Sequence, residues 1–255
     1  MAKKAGGWLR RALLKAVLAW GVITVVPVLL LRWIPPVTSA FMLEAKWRAL
    51  RAGERDYRTD YRWVGYRQIS PEAGIAAVAS EDQTFPFNHG FDFRSIDQAI
   101  QTAERGGRLR GASTITQQVA KNLFLWGGRS FVRKGIEAYL TVLIDVSWPK
   151  ERVLTVYLNI AQFGHGIFGV QAAAQRFFHE PASRLTTAQA ALLAAVLPDP
   201  VHWHVAQPSR FVLWRQRWLL QQMANLGGPA YLRSRAPPRM LRPGRTRDAG
   251  IVSRR

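Results

Sequence analysis

The feature that most constrains this chain is an apolar run near its start. Residues Ala16 to Leu31, AVLAWGVITVVPVLLL, carry no charge, and Leu13, Leu14, Trp33, Ile34 and Val37 extend the run on either side. A bilayer-crossing helix takes about 20 residues, with roughly 17 as the lower limit, so the run suffices if Lys15 and Arg32 snorkel to the interfaces. Pro27 would weaken a soluble helix interior but is tolerated inside a membrane. The alternative is a cleaved signal, whose apolar region would span only about 7 to 15 residues and end at a small-residue site, for which Val37-Thr38-Ser39-Ala40 could pass. The length of the run favours an anchor at 13–36. Lys3, Lys4, Arg10, Arg11 and Lys15 precede it with no acid among them. The positive-inside rule then puts the leader 1–12 in the cytoplasm and the body outside, as a single-pass protein.

That topology decides how the charge is read. The chain has 36 Lys and Arg against 16 Asp and Glu, a formal charge of +20. Such an excess suits nucleic acid, an anionic membrane or a phosphate-bearing substrate, and an extracytoplasmic body argues against the first. The absence of cysteine excludes disulfide scaffolds, thiol catalysis and thiolate zinc sites. A hydrophobic content of 48% is enough for a core, so a folded body is expected.

Beyond the run, residues 37–69 read as a membrane-proximal linker or interfacial segment, with Trp47, Tyr61, Trp63 and Tyr66 expected among the headgroups. From Ser70 the punctuation is helical. Ser70-Pro71 starts a helix through AGIAAVASE, and Asp92 can cap FRSIDQAIQTAERGG. Thr114 with Gln117, and Thr186 with Gln189, have capping-box spacing, and Ser130 opens FVRKGIEAYLTVLIDV. Almost nothing alternates with period two, so the body at 70–227 is expected to be mainly α. The Arg-rich segment 228–255 reads as a basic, disordered tail.

Three segments carry candidate chemistry. Glu81 closes an Ala-rich apolar helix before a Phe/Pro loop, where desolvation could suit it to general-base work; a solvated helix-end acid is the plainer alternative. In GASTITQQVAKN, glycine and hydroxyls precede a helix start, and Gln117 and Lys121 fall at i and i+4, so one segment could present donors to a phosphate. A well-capped helix with surface Gln and Lys explains the same residues. Arg133 and Glu137 could be a helix ion pair worth about 0.2 to 0.5 kcal/mol, or cations and a carboxylate at a diphosphate.

Glu81-Asp82 with Phe85 and Gly90-Phe91-Asp92, GASTITQQVAKN, RKGIE, Arg152-Val153-Leu154-Thr155-Val156-Tyr157-Leu158-Asn159, and Arg215 before Leu219-Leu220 occur in this order. Together they resemble the glycosyltransferase domain of peptidoglycan polymerases, most closely the monofunctional biosynthetic peptidoglycan transglycosylases. The resemblance implies a lysozyme-like, mainly α glycosyltransferase domain behind one transmembrane helix. It implies that lipid II and a lipid-linked glycan strand are the substrates, joined by inverting attack of the acceptor GlcNAc 4-hydroxyl. By resemblance, Glu81 is the general base. Ser113, Thr114, Gln117, Gln118, Lys121, Arg129, Arg133 and Lys134 attend the diphosphate, and Glu137 organises those cations. A divalent metal on the diphosphate and a wall-synthesis complex are left open, and no metal-ligand spacing is evident; His202-Trp203-His204 reads as a loop feature. The family usually has histidine where this chain has Asn88, with His89 one position later, and acids where it has Gln162, Gln171 and Gln189. A lysozyme-like cleaving enzyme would leave the cations unexplained, and a basic membrane-anchored scaffold would leave both glutamates unexplained.

Overall fold

The computed structural model describes residues 2–93, 97, 101, 113–128 and 130–234. They form nine helices: α1 (Ala2–Leu31), α2 (Ala40–Arg51), α3 (Pro71–Glu81), α4 (Ile115–Phe124), α5 (Phe131–Ser147), α6 (Lys150–Ile160), α7 (Val170–Phe178), α8 (Thr187–Val196) and α9 (Arg210–Asn225). Three short strands, β1 (Asp60–Tyr61), β2 (Gln162–Gly164) and β3 (Ile167–Phe168), form one sheet in the order β1-β3-β2, parallel between β1 and β3 and antiparallel between β2 and β3. The protein is mainly α, as expected. The helix anticipated after Asp92 falls largely outside the described residues, as does everything beyond Ser234.

The centre of the body is α3. Ser70 caps it, accepting from Glu72 N, and Pro71 occupies its first turn. Residues Ala73 to Ala79 are buried all around its circumference, which is what a helix without a polar face requires. Small side chains let neighbours approach: a Cβ at Gly74 would stand 2.9 Å from Leu232 Cδ1. Helices α8, α9 and α6 and the 3-10 turn Gly228–Arg233 pack around α3, while α4 packs against α5 and α6. A helix gripped on every side fixes the direction of whatever leaves its end, and that residue is Glu81.

Helix α1 is continuous from Ala2, so the basic leader continues the helix. Its stretch Arg10–Leu31, 22 residues, is long and apolar enough to cross a membrane. The last carbonyls of a helix have no partner within it. Here Trp148 Nε1 donates to Val28 O at 2.8 Å, and Arg152 donates to Leu31 O at 3.0 and 2.7 Å and to Ile34 O at 2.7 Å. Arg32 donates to Ser147 O, and Thr24 Oγ1 lies 3.0 Å from the Tyr139 hydroxyl. The apolar helix is thereby joined to α5 and α6 rather than tethered by a loose linker.

Two expected boundaries move. Segment 37–69 is built into the body: Asp60 N donates to Gly166 O at 2.8 Å, and the Asn159 side chain bonds both Val64 N and Val64 O at 2.9 Å. Tyr61, Trp63 and Tyr66, expected at headgroups, pack against the core, whereas Trp47 is exposed. At the other end, the expected tail begins too early. Residues Gly228–Arg233 form a 3-10 turn that buries Tyr231, whose hydroxyl donates to Gln83 O at 2.6 Å.

Candidate active site

Glu81, half-buried at the end of α3, has a donor on each carboxylate oxygen. Gln118 Nε2, from α4, donates to Oε2 at 3.0 Å, and the Ser80 hydroxyl donates to Oε1 at 2.8 Å. Gln118 is oriented in turn by Tyr157 of α6, whose hydroxyl donates to its Oε1 at 3.4 Å. Burial pushes the Tyr157 hydroxyl well above its ordinary pKa, and the charges of Glu81 and Asp82 push it further, so it stays a donor. The RVLTVYLN run contains Tyr157, but nothing in the run shows that it reaches the Glu81 carboxylate through Gln118.

Asp82, buried beside Glu81, serves the architecture. It accepts from Asn88 Nδ2 at 2.9 and 3.0 Å, from Thr84 Oγ1 at 3.1 Å and from Ile115 N, the first residue of α4, at 3.1 Å. Burial raises its pKa, and the donors Asn88, Ile115 and Thr84 and then the charge of Lys150 oppose the rise. Asn88 is buried and also accepts from Lys150 Nζ at 3.1 Å, while the His89 side chain is 96% exposed. The inward role at this loop therefore belongs to Asn88, and His89 takes no part in the site. Gly90 adopts φ +76°, which suits glycine, and its carbonyl accepts from Thr114 Oγ1 at 2.6 Å. These bonds tie the loop after α3 to the start of α4.

The second carboxylate sits in a cluster of cations. Glu137, 3% exposed, accepts from Arg133 Nη1 at 2.9 Å and from Lys134 Nζ through its other oxygen. Arg133 Nε is buried without a partner among the described residues, a donor left over for an acceptor that they do not supply. Lys121 of α4 feels both glutamates. Burial lowers its pKa most; Glu137 opposes the shift, Arg133 and Lys134 add to it, and Glu81 opposes it. Its Nζ lies over the Phe41 ring, 5.2 Å from the centroid, so α2 forms one wall here. Sequence reasoning missed Phe41, which precedes Glu81 by forty positions. The arrangement can deprotonate a nucleophile at Glu81 and hold an anion at Lys121, Arg133 and Lys134.

A transglycosylase family model matches residues 49–224. The chain is 52% identical over 227 residues to a biosynthetic peptidoglycan transglycosylase of Klebsiella oxytoca, covering 89% of this chain and 94% of that one. It is 56% identical over 199 residues to one from Escherichia coli O127:H6, covering 78% and 82% of the two chains. It is 49% identical to one from Pectobacterium carotovorum, covering 89% and 93%. The chain belongs to the transglycosylase family. It is therefore an enzyme of the glycosyltransferase class. The family match begins at residue 49, in keeping with the packing of residues 60–69 into the body.

Not every residue expected at the diphosphate of this transglycosylase lies free to reach one. Thr114 and Gln117 are buried and close a capping box: Gln117 N donates to Thr114 Oγ1 at 3.2 Å, and Thr114 N donates to Gln117 Oε1 at 2.9 Å. The reading of Gln117 and Lys121 as donors aimed together is corrected, because the cap turns the Gln117 side chain back on the helix start. Gln118 serves Glu81 instead of the cations. Ser113 is half-buried just ahead of the cap, and Arg129 lies outside the described residues. The glutamines at the family's acidic positions have structural partners: Gln171 Oε1 accepts from Ala182 N at 2.9 Å, Gln189 closes a capping box with Thr186, and Gln162 donates to Gly164 O at 3.0 Å.

The described residues offer no protein-held site for the divalent metal left open by the resemblance. Among the described residues no three of His, Asp or Glu converge, and both oxygens of Glu137 are taken by Arg133 and Lys134. His202 Nδ1 pairs with Asp199 at 2.7 Å on an exposed loop.

Proposed function

We propose that the chain polymerises lipid II, an undecaprenyl-diphosphate disaccharide peptide, into β-1,4-linked glycan strands for the bacterial wall. Glu81 takes the proton from the acceptor's GlcNAc 4-hydroxyl as that oxygen attacks the anomeric carbon of the donor's MurNAc. The carbon–oxygen bond to the diphosphate breaks with its electron pair on the leaving group, and one displacement converts the α lipid linkage to a β linkage. Lys121, Arg133 and Lys134 take up the charge that develops on the diphosphate. The observation that carries this reading is the buried, unpartnered Arg133 Nε beside Lys121, with Glu81 held as an acceptor by two donors. A cleaving enzyme acting on finished wall has no leaving diphosphate and no use for that cluster.

The 22-residue apolar stretch of α1 supports a single-pass anchor, with the basic leader in the cytoplasm and the body in the periplasm, where lipid-linked substrate and enzyme share one membrane. The test is extension of labelled lipid II by the purified full-length chain in detergent, beside Glu81→Gln. Long lipid-linked strands from the wild type and none from the variant are expected. Soluble muropeptides released from sacculi, with lipid II left unextended, would overturn the reading.

A further inference from the structure

The hold on Glu81 Oε1 has a property that the hold on Oε2 lacks. Ser80 Oγ lies 2.8 Å from Glu81 Oε1 and 3.2 Å from Ala194 O, and it accepts from Arg215 Nη2 at 2.9 Å. A hydroxyl has one hydrogen, and a guanidinium only donates. With Arg215 occupying a lone pair of Oγ, the Ser80 hydrogen must point to one of the two remaining acceptors. An ionised carboxylate at the shorter distance outcompetes a neutral carbonyl. Once Glu81 carries a proton its pull weakens, and Ala194 O stands within reach of the released hydrogen. Arg215 is itself fixed: Nε donates to Ala195 O at 3.1 Å, and the guanidinium lies 6.0 Å from the Trp203 ring centroid and 5.9 Å from that of Trp218.

We propose that Ser80 is a positioning residue for the transfer, a hydroxyl set by Arg215 that aims the ionised Glu81 carboxylate and turns to Ala194 O when Glu81 takes the acceptor's proton. Ser80 keeps its own hydrogen throughout; only the acceptor's proton moves, from the 4-hydroxyl to Glu81. This inference rests on Glu81 being the base. Among the described residues, the charged and titratable groups around Glu81 are Asp82 beside it, Lys121 of α4, Tyr157 of α6 and, through Ser80, Arg215 of α9, while α8 contributes the Ala194 carbonyl. Because Arg215 brings charge as well as a hydrogen bond, the hydroxyl must be tested separately from the guanidinium.

The experiment uses the full chain in detergent with labelled lipid II. Ser80→Ala should lower kcat about tenfold, the worth of one charge-assisted hydrogen bond, with KM little changed. It should also move the acid limb of the rate profile to higher pH, because the lost donor favoured the carboxylate form. Ser80→Thr, which keeps the hydroxyl, should restore both. A second readout needs no turnover: carbon-13 titration of the glutamate side chains, with the Glu81 signal assigned through Glu81→Gln, should show the Glu81 midpoint at higher pH in Ser80→Ala. An unmoved midpoint, or a Ser80→Thr variant as impaired as Ser80→Ala, overturns the proposal. A wild type that extends no lipid II refutes the proposed function, and the carbon titration still decides the Ser80 contact.

Discussion

Glu137→Gln isolates what the buried carboxylate does among three cations. The change keeps the shape and one acceptor oxygen, and removes the charge facing Arg133, 11% exposed, at 2.9 Å. Breaking a buried pair by neutralising one partner costs about 3 to 5 kcal/mol, and the retained amide oxygen places this case near the lower figure. Lys134 is half exposed, so its share is discounted to about 0.5 kcal/mol. A loss of about 3.5 kcal/mol lowers the melting temperature by roughly 7 to 14 °C for a body of this size. The variant leaves the cations without their counter-charge, so inorganic pyrophosphate should recover more stability for it than for the wild type; about 2.7 kcal/mol is available at a hundredfold excess over Kd. Thermal unfolding of both proteins in detergent, with and without pyrophosphate, measures both effects. If the variant melts within about 2 °C of the wild type, or pyrophosphate raises the two alike, Glu137 is not the counter-charge of the cluster.

The lowered pKa of Lys121 has a defined sign. The amine is charged below that pKa and neutral above it, so substrate KM should rise with alkalinity sooner than for an ordinary lysine. Lys121→Arg, whose guanidinium stays charged, should move that limb to higher pH, as initial rates across a pH series would reveal. For Asp82, the Ala variant strands Ile115 N and the Asn88 amide, a cost of about 2 to 6 kcal/mol. Asp82→Asn costs far less, because its amide can donate to Thr84 Oγ1 while its oxygen still accepts from Ile115 N; equal melting temperatures for the two variants would contradict this bonding. His89→Ala should leave turnover and stability unchanged, since that ring is almost wholly exposed.

Helix starts were legible because caps are local. Ser70-Pro71, Thr114 with Gln117 and Thr186 with Gln189 mark helix beginnings where the structure has them. The same locality explains the misreading of Gln117: the i, i+4 rule pairs it with Lys121, but residue N3 of a capping box turns back to the cap. Strands of two or three residues are too short for alternation to register. The membrane-proximal segment read as a linker because its partners are distant; Asn159 pairs with Val64 across 95 positions. Glu81 and the cations could be nominated from residue type and order. The groups that aim Glu81 from afar could not: its donor Gln118 lies 37 positions away, Arg215, which donates to Ser80, lies 135 positions from that serine, and both arrive only through packing.

The junction of α1 with the body carries a further consequence. If the proposed anchor were hinged, the cations would stand at no fixed height above the bilayer, and a substrate diphosphate tied to its own lipid would meet them only in a fraction of orientations. Instead, Trp148 and Arg152 satisfy the last carbonyls of α1, and Trp148 directly follows α5, the helix whose first two turns carry Arg133, Lys134 and Glu137. The proposed anchor is thus bonded to the segment that follows the cation-bearing helix, and the two should move as one piece. The chain has no cysteine, so paired spin labels can be introduced cleanly, for example at the exposed positions Val22 and Arg217. The wild-type background should give a narrow distance distribution. Trp148→Phe combined with Arg152→Met removes every side-chain bond to Val28 O, Leu31 O and Ile34 O described above, and the distribution should broaden while the body's melting temperature falls by only a few degrees. A distribution as narrow as in the wild type would mean that the remaining contacts between α1 and α5, the Arg32–Ser147 and Thr24–Tyr139 bonds among them, set the angle, and that the capping bonds do not.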